Sequence, residues 1–191
     1  MNEIYQDIDQ ETIPDAQLTH VGIYVQDLEK MVIFYTQTLG LLVNDLGEIN
    51  GRRLAFLSRT ENEHHQVVLA WDPERKRSGD STLNQVSFRV ASLEKLREMF
   101  FFLSPKELPG MEARNHGNSW SFYFFDPEGN KIEIYAVTQW QVQQPWRISL
   151  DLTRPTADIE KETEELVKTL PSWQPLDDWK AAMRKRLGKT Q

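Results

Sequence analysis

The chain contains one segment twice. The segment Leu18–Met31 (LTHVGIYVQDLEKM) recurs 65 positions later as Leu83–Leu96 (LNQVSFRVASLEKL), and the two copies align without a gap. Each copy reads as an alternating strand, a helix-capping Asp or Ser, and an amphipathic helix. A long period that occurs only twice indicates a duplicated supersecondary unit, because a solenoid needs three or more units to bury its core. The copies differ at a chemically important position, where His20 corresponds to Gln85.

Composition excludes several classes of function. The chain has 191 residues and a net charge of −7, which argues against nucleic acid or an anionic membrane as a partner. It contains no apolar run long enough to span a membrane and no signal segment, and it has no cysteine, so we expect a cytoplasmic location. Any metal must therefore be bound by carboxylate, amide, water or one of the four histidines, which are His20, His64, His65 and His116.

The order of strand and helix patterns predicts an α+β protein. Residues 1–16 are polar and are predicted to form an N-terminal leader. Residues 17–138 are predicted to form one paired domain, in which modules 17–72 and 82–138 are each a βαβββ unit. Residues 139–191 are predicted to form a C-terminal extension, in which irregular chain is followed by two short helices packed on the domain.

The first module shows how these boundaries are drawn. An alternating strand is predicted from Leu18 to Val25, followed by a helix capped by Asp27 and stopped by Gly40. The next strand is predicted to end at Leu46, because the segment Gly47–Gly51 is rich in turn residues.

Strand alternation places three candidate ligands on open faces. Alternate side chains of a strand face opposite sides, so the apolar members of each strand are predicted to pack beneath a helix. His20, Gln85 and Glu133 then lie on the faces turned away from the helices. If the two modules curve toward each other, these faces line one cup in which an imidazole, an amide oxygen and a carboxylate can bind a divalent metal. Three protein ligands with an open side suit a catalytic metal rather than a structural one.

Further motifs in both modules resemble a known family. They are HVGIYVQDLE (20–29), FLSR (56–59) and EHHQVVL (63–69) in the first module, and NQVSFRV (84–90), HGNSWSFYF (116–124) and DPEGNKIEIY (126–135) in the second. Their order and spacing resemble the vicinal oxygen chelate superfamily, which includes glyoxalases, bleomycin resistance proteins and extradiol dioxygenases. Within it, the chain is most similar to the one-domain type I extradiol catechol dioxygenases. The resemblance implies two tandem βαβββ modules that form a curved open barrel, or cup, with a C-terminal helical tail.

The resemblance also implies a metal site. His20 and Glu133 match the first His ligand and the Glu ligand of an Fe(II) or Mn(II) ion, and Gln85 falls where most members have a second His ligand. The implied cofactor is Fe(II), with Mn(II), Ni(II) or Zn(II) as alternatives.

Three other residues are implied to take part in catalysis. His65 matches the acid–base histidine near the bound dioxygen, whereas His116 and Tyr123 match residues that hydrogen-bond the catecholate oxygens. The implied reaction is cleavage of a catechol-like ring, with a small aromatic substrate and O2 as partners. No nucleic acid or membrane partner is expected, and a homodimer or higher homo-oligomer is possible because proteins of this size often form symmetric assemblies.

Gln85 departs from the family pattern and leaves alternatives open. An amide oxygen binds Fe(II) more weakly than imidazole does, although glyoxalase I enzymes use Gln as a ligand. One alternative is therefore a glyoxalase-like metal-dependent isomerase or lyase. Another is a metal-free protein that binds a small aromatic ligand, like the bleomycin-binding members of the superfamily.

Overall fold

The computed structural model describes residue 14 and residues 16–75 and 82–188. Most of the predicted leader, residues 1–13 and 15, lies outside the described residues, as does the 76–81 part of the link between the modules. Within the described ranges, no helix is both long enough and apolar enough to cross a bilayer.

The described residues form an α+β fold of two similar modules, which confirms the predicted class. The first module contains β1 (Val21–Val25), α1 (Leu28–Leu39), β2 (Leu42–Ile49), β3 (Arg52–Ser58) and β4 (Val67–Trp71). The second contains β5 (Val86–Arg89), α2 (Leu93–Leu103), β6 (Glu112–Asn115), β7 (Ser119–Phe125) and β8 (Lys131–Val137). The tail adds β9 (Trp140–Gln141), β10 (Ile148–Ser149), α3 (Thr156–Val167), β11 (Gln174–Pro175) and α4 (Leu176–Arg186).

Each module builds one open sheet with the same topology. The first sheet has the order β1-β4-β3-β2, and the second has the order β10-β6-β7-β8-β5. In both sheets the strand before the helix pairs in parallel with the last strand of the module, while the other pairs are antiparallel. The sequence repeat is therefore a structural repeat.

The capping residues that the repeat predicts delimit both helices. The Asp27 carboxylate accepts a hydrogen bond from the Lys30 amide at 3.0 Å, and the Ser92 hydroxyl accepts one from the Lys95 amide at 3.4 Å. Gly40 ends α1 in the left-handed region, at a φ of 69°, where glycine has no steric penalty.

The predicted turn in the first module is wrong in its extent. β2 continues to Ile49, and Gly47 pairs with Leu54 instead of beginning the turn. The reversal is made by Asn50 and Gly51 alone, both with positive φ. β2 is an edge strand whose residues are all exposed, so a glycine within it leaves no gap in a packed core. β1 is also shorter than predicted and begins at Val21.

A single core cluster links α1, α2, α3 and both sheets. Its largest fully buried side chains include Met31, Tyr35, Phe122, Phe124 and Ile134. Burial of this apolar surface is the main favourable contribution to folding.

A buried polar contact joins the two modules. The Glu128 carboxylate, in the β7–β8 turn, accepts hydrogen bonds from the amides of Gln26 and Asp27 at 2.8 and 2.9 Å, just before α1. Tyr35 on α1 donates to Asp126 in the same turn at 3.2 Å, and burial raises the pKa of both groups. The start of α1 is therefore tied to one turn of the second sheet.

The tail is more regular than the predicted irregular chain. β10 joins the edge of the second sheet by pairing with β6, and β9 pairs with β11. Thr163 of α3 is buried and accepts hydrogen bonds from the Asn115 amide and the Trp120 indole at 2.9 and 2.8 Å. The tail thus packs on the second module, while the predicted domain boundaries stay predictions.

Candidate functional site

The second sheet brings several candidate residues onto one face. Ser87 and Tyr123 lie on either side of Glu133 in the strand register, so the three side chains share the face turned away from α2. Gln85 precedes β5 and lies on the same face. The predicted orientation of Gln85 and Glu133 is therefore consistent with the packing of the sheet.

Hydrogen bonds converge on the Glu133 carboxylate, which is 8% exposed. Its Oε2 accepts from the Gln85 amide at 2.7 Å and from the Ser87 hydroxyl at 2.5 Å. Its Oε1 accepts from the Tyr123 hydroxyl at 2.6 Å. Three donors around a buried carboxylate compensate for its loss of water, as burial of a charged group requires.

Tyr123 links this carboxylate to a histidine. The Tyr123 oxygen lies 2.8 Å from His116 Nε2, and His116 Nδ1 lies 3.2 Å from the Trp146 carbonyl oxygen. Burial and the bond to Glu133 raise the pKa of Tyr123, so its hydroxyl keeps its proton at neutral pH. We call Gln85, Ser87, His116, Tyr123 and Glu133 the glutamate cluster.

Gln85, His116, Tyr123 and Glu133 of the glutamate cluster line a pocket of about 940 Å³. Its wall is completed by charged side chains of the second sheet and by the chain segment 144–147 of the tail. This volume accommodates a small aromatic molecule.

The first sheet holds the other candidate histidines, His20, His64 and His65, which we call the histidine cluster. The rings of His20 and His65 are 4.5 Å apart between centroids, and the Nδ1 atoms of His64 and His65 are 3.0 Å apart. His64 Nε2 also lies 2.9 Å from Asp45 Oδ2. Burial, followed by repulsion from His20 and His64, lowers the pKa of His65, so its imidazole is neutral near pH 7.

The two clusters are separate in the chain. Among the described residues, no hydrogen bond, ion pair or ring contact joins a member of the histidine cluster to a member of the glutamate cluster. The pocket of the glutamate cluster is not lined by His20 or His65. Within the same ranges, no three His, Asp or Glu side chains form a group that could hold a metal ion. The predicted convergence of His20, Gln85 and Glu133 stays a prediction.

The donor set of the candidate ligands nevertheless suits a divalent cation. Gln85 and Glu133 are in contact through the Gln85 amide nitrogen. The Gln85 carbonyl oxygen forms no hydrogen bond among the described residues, so it is free to coordinate a metal ion. An imidazole, a carboxylate and an amide oxygen suit Fe(II), Mn(II), Ni(II) or Zn(II). Among the described residues, however, His20 contacts neither Gln85 nor Glu133.

Sequence reasoning missed one residue that contacts Glu133 and one that lines the pocket. Ser87 could have been found, because it shares the open face with Gln85. Arg147 could not, because the tail segment that holds it shows neither helical nor strand periodicity.

Comparisons with known proteins agree with the fold. Metapyrocatechase from Geobacillus stearothermophilus is 26% identical over 77% of this chain and 43% of its own length. Biphenyl-2,3-diol 1,2-dioxygenase 2 from Rhodococcus globerulus is 26% identical over 62% of this chain and 61% of its own length. The chain thus spans less than two thirds of the length of these relatives.

A solved structure and a family model extend the comparison. The glyoxalase I of Leishmania major matches with a TM-score of 0.52 at 20% identity, over 64% of this chain and 87% of its own, which reflects a shared fold. The model of the glyoxalase/bleomycin resistance protein/dioxygenase superfamily matches residues 17–134. Because this match covers more than half of the chain, the protein belongs to the glyoxalase/bleomycin resistance protein/dioxygenase superfamily.

Proposed function

We propose that the protein is a metal-dependent, extradiol-type dioxygenase that cleaves a catechol-like aromatic ring. The observation that carries the proposal is the buried Glu133 carboxylate, which contacts Gln85 on one side and the Tyr123–His116 pair on the other. Two relatives at 26% identity support it, since the name of one specifies a dioxygenase of an aromatic diol.

His20, Gln85 and Glu133 are the proposed ligands of the metal. Bound there, Fe(II) would supply Lewis acidity to a chelated catechol and the redox capacity that dioxygen chemistry requires. Ser87 fixes Glu133 by donating to its Oε2, which leaves the carboxylate oriented toward Gln85.

The neighbouring side chains handle protons. Tyr123 and His116 lie in the pocket with Glu133 and are positioned to hydrogen-bond an oxygen of the bound substrate. His65 has a lowered pKa and is therefore available as a neutral base, able to accept a proton from the second catechol hydroxyl and to return it later.

The histidine cluster meets the glutamate cluster between two copies of the chain. The open face of the first sheet carries apolar side chains: Tyr24 and Ile49 are 50% and 62% exposed, and Leu54, Phe56 and Val68 are half-buried. An apolar sheet face of this kind is a typical interaction surface. When it covers the second sheet of another copy, His20 and His65 of one chain can approach Gln85 and Glu133 of the other.

Oxygen consumption tests the reaction. The protein is loaded with Fe(II) under anaerobic conditions and then mixed with oxygen and a panel of catechols. We expect oxygen uptake with formation of a yellow ring-fission product, and loss of both in the Glu133→Gln variant. Glu165→Gln is the matched control, because Glu165 is exposed on α3. Failure to retain iron, together with no oxygen uptake, would contradict the proposal.

Mixed assemblies test the shared site. His20→Ala and Glu133→Ala are each expected to be inactive, but a mixture of the two, refolded or co-expressed, contains dimers with one intact site. We expect about one quarter of the activity and metal content of the unmodified protein, from random pairing. A mixture that stays inactive would instead place all ligands of each site in one chain, while leaving the proposed reaction open.

A metal-dependent isomerase or lyase is the second candidate, and Gln85 favours it. A carboxamide in place of the second imidazole makes the ligand set weaker for Fe(II) and keeps it suitable for Ni(II) or Zn(II). Turnover of a glyoxalase-type substrate with Ni(II) or Zn(II), without oxygen uptake, would support this candidate and exclude ring cleavage.

A further inference from the structure

The C-terminal tail forms one wall of the pocket that holds the glutamate cluster. The segment Gln144–Arg147 lines this pocket together with Gln85 and Glu133. The family model ends at residue 134, so this wall comes from a part of the chain outside the region that defines the family. We therefore expect the tail to contribute residues that determine which ligand this pocket binds.

The wall segment is held firmly against the second sheet. The Gln144 side chain donates to the His116 carbonyl oxygen at 2.8 Å, and the Trp146 carbonyl oxygen contacts His116 Nδ1. On the other side, Ile148 pairs with Asn115 in the β10–β6 ladder. The backbone of Arg147 is thus fixed by its two neighbours.

Arg147 differs from the other cations of the pocket, because it has no acidic partner among the described residues. The other two cations of the pocket, Arg114 and Lys131, lie 2.6 and 3.9 Å from the Glu112 carboxylate. Arg147 is exposed and makes no side-chain hydrogen bond, ion pair or ring contact within the part of the chain that the structure describes. A free guanidinium on a fixed backbone is suited to binding an anion through two parallel hydrogen bonds.

We propose that Arg147 binds a carboxylate substituent of the substrate and so makes the pocket selective for aromatic acids. The inference rests on the proposed function for the position of the ring, which is set by the glutamate cluster. Arg147 is then a specificity-determining residue, contributed by the tail. The pocket favours an acid electrostatically, because its lining holds three cations, Arg114, Lys131 and Arg147, against two carboxylates, Glu112 and Glu133.

Equilibrium binding of a matched pair of catechols tests the inference. The probes are protocatechuate, which carries a carboxylate, and its neutral amide. Their dissociation constants are measured by calorimetry with Fe(II)-loaded protein and again in the presence of chelator. We expect tighter binding of protocatechuate, and Arg147→Gln is expected to weaken its binding about tenfold while leaving the amide nearly unaffected. Arg147→Lys is expected to recover part of the preference.

Arg184→Gln is the matched control. It removes the same charge from α4, whose residues do not line the pocket, so the preference for the acid should persist. The inference is overturned if Arg147→Gln weakens both probes equally, if it changes neither, if Arg184→Gln has the same effect, or if neither probe binds. A preference that depends on Arg147 without oxygen uptake would refute ring cleavage alone, whereas cleavage of both probes regardless of Arg147 would refute the inference alone.

Discussion

The two sheets share one sequence repeat and one topology, yet their open faces differ. The second sheet buries a hydrogen-bonded carboxylate, Glu133, beneath a pocket that the tail helps to enclose. The first sheet has an apolar open face with exposed Tyr24 and Ile49, and its histidines lie at the ends of strands. The two duplicated modules therefore keep the same strand topology, although the side chains on their open faces differ. The second face carries hydrogen-bonded polar side chains in a pocket, whereas the first is largely apolar and partly exposed.

Loss of Glu133 should have the largest effect. Glu133→Ala removes a proposed ligand and the acceptor of the hydrogen bonds from Gln85, Ser87 and Tyr123, so we expect metal affinity to fall by about 100-fold or more and the free energy of unfolding by about 2 kcal/mol. Metal titration and urea unfolding measure the two effects.

The effect of His20→Ala on stability is to be compared with that of Glu133→Ala. His20 is exposed, so its loss should change the free energy of unfolding by less than about 0.5 kcal/mol while still lowering metal affinity. Equal destabilisation by the two substitutions would contradict the contrast between the buried and the exposed cluster.

A charge on the first open face should weaken self-association. In Ile49→Lys an exposed apolar side chain becomes cationic, and we expect the dissociation constant of the dimer to rise about tenfold, because the lysine must lose water on association. Sedimentation velocity over a range of concentrations measures it. Ile33→Lys is the control, since Ile33 is similarly exposed but lies on α1. An unchanged dissociation constant in Ile49→Lys would mean that this face is not the interface.

Removal of the Tyr123 hydroxyl should have a moderate effect. Tyr123→Phe deprives Glu133 and His116 of a shared partner, and we expect a loss of about 1 kcal/mol in the free energy of unfolding and about tenfold in turnover. Thermal unfolding and steady-state kinetics measure these effects. Tyr135→Phe serves as a control on β8, because the Tyr135 hydroxyl makes no hydrogen bond among the described residues. Equal effects of the two substitutions would argue against a special role for Tyr123.

The smallest effect concerns the pKa of His65, which NMR titration of the metal-free protein measures. Burial and the neighbouring His20 and His64 lower this pKa, whereas Glu63 opposes them. We expect His64→Asn to raise the pKa and Glu63→Gln to lower it further. Because the folded-state pKa lies below that of the unfolded chain, protonation disfavours folding, and the related stability is lost as the pH falls through the ordinary range of histidine. A pKa of His65 at or above its ordinary value would contradict this environment.

The fold was largely predictable because its signals are local. Alternation and capping residues such as Asp27 and Ser92 act within a few positions, and the repeat supplied each prediction twice. The extent of β2 was not predictable, because Gly47 is a turn residue by local preference and the edge position that tolerates it is a tertiary property.

The candidate site was predictable only in part. The alternation of side chains along a strand predicts that Gln85 and Glu133 lie on the same face of the sheet, and their side chains are in contact there. The distance between this pair and His20 depends on how two sheets are oriented, and no periodicity in the sequence encodes that orientation. Arg147 was missed for a related reason, since its place in the pocket follows from β10 joining the sheet edge.

The contact between Glu128 and the start of α1 has an evolutionary consequence. The Glu128 carboxylate accepts hydrogen bonds from two backbone amides and so helps to fix how the two halves pack together. Backbone amides are present whatever the side chains are, so these two hydrogen bonds do not depend on the identity of residues 26 and 27. Residues on the open face of either half can therefore change without loss of these two hydrogen bonds.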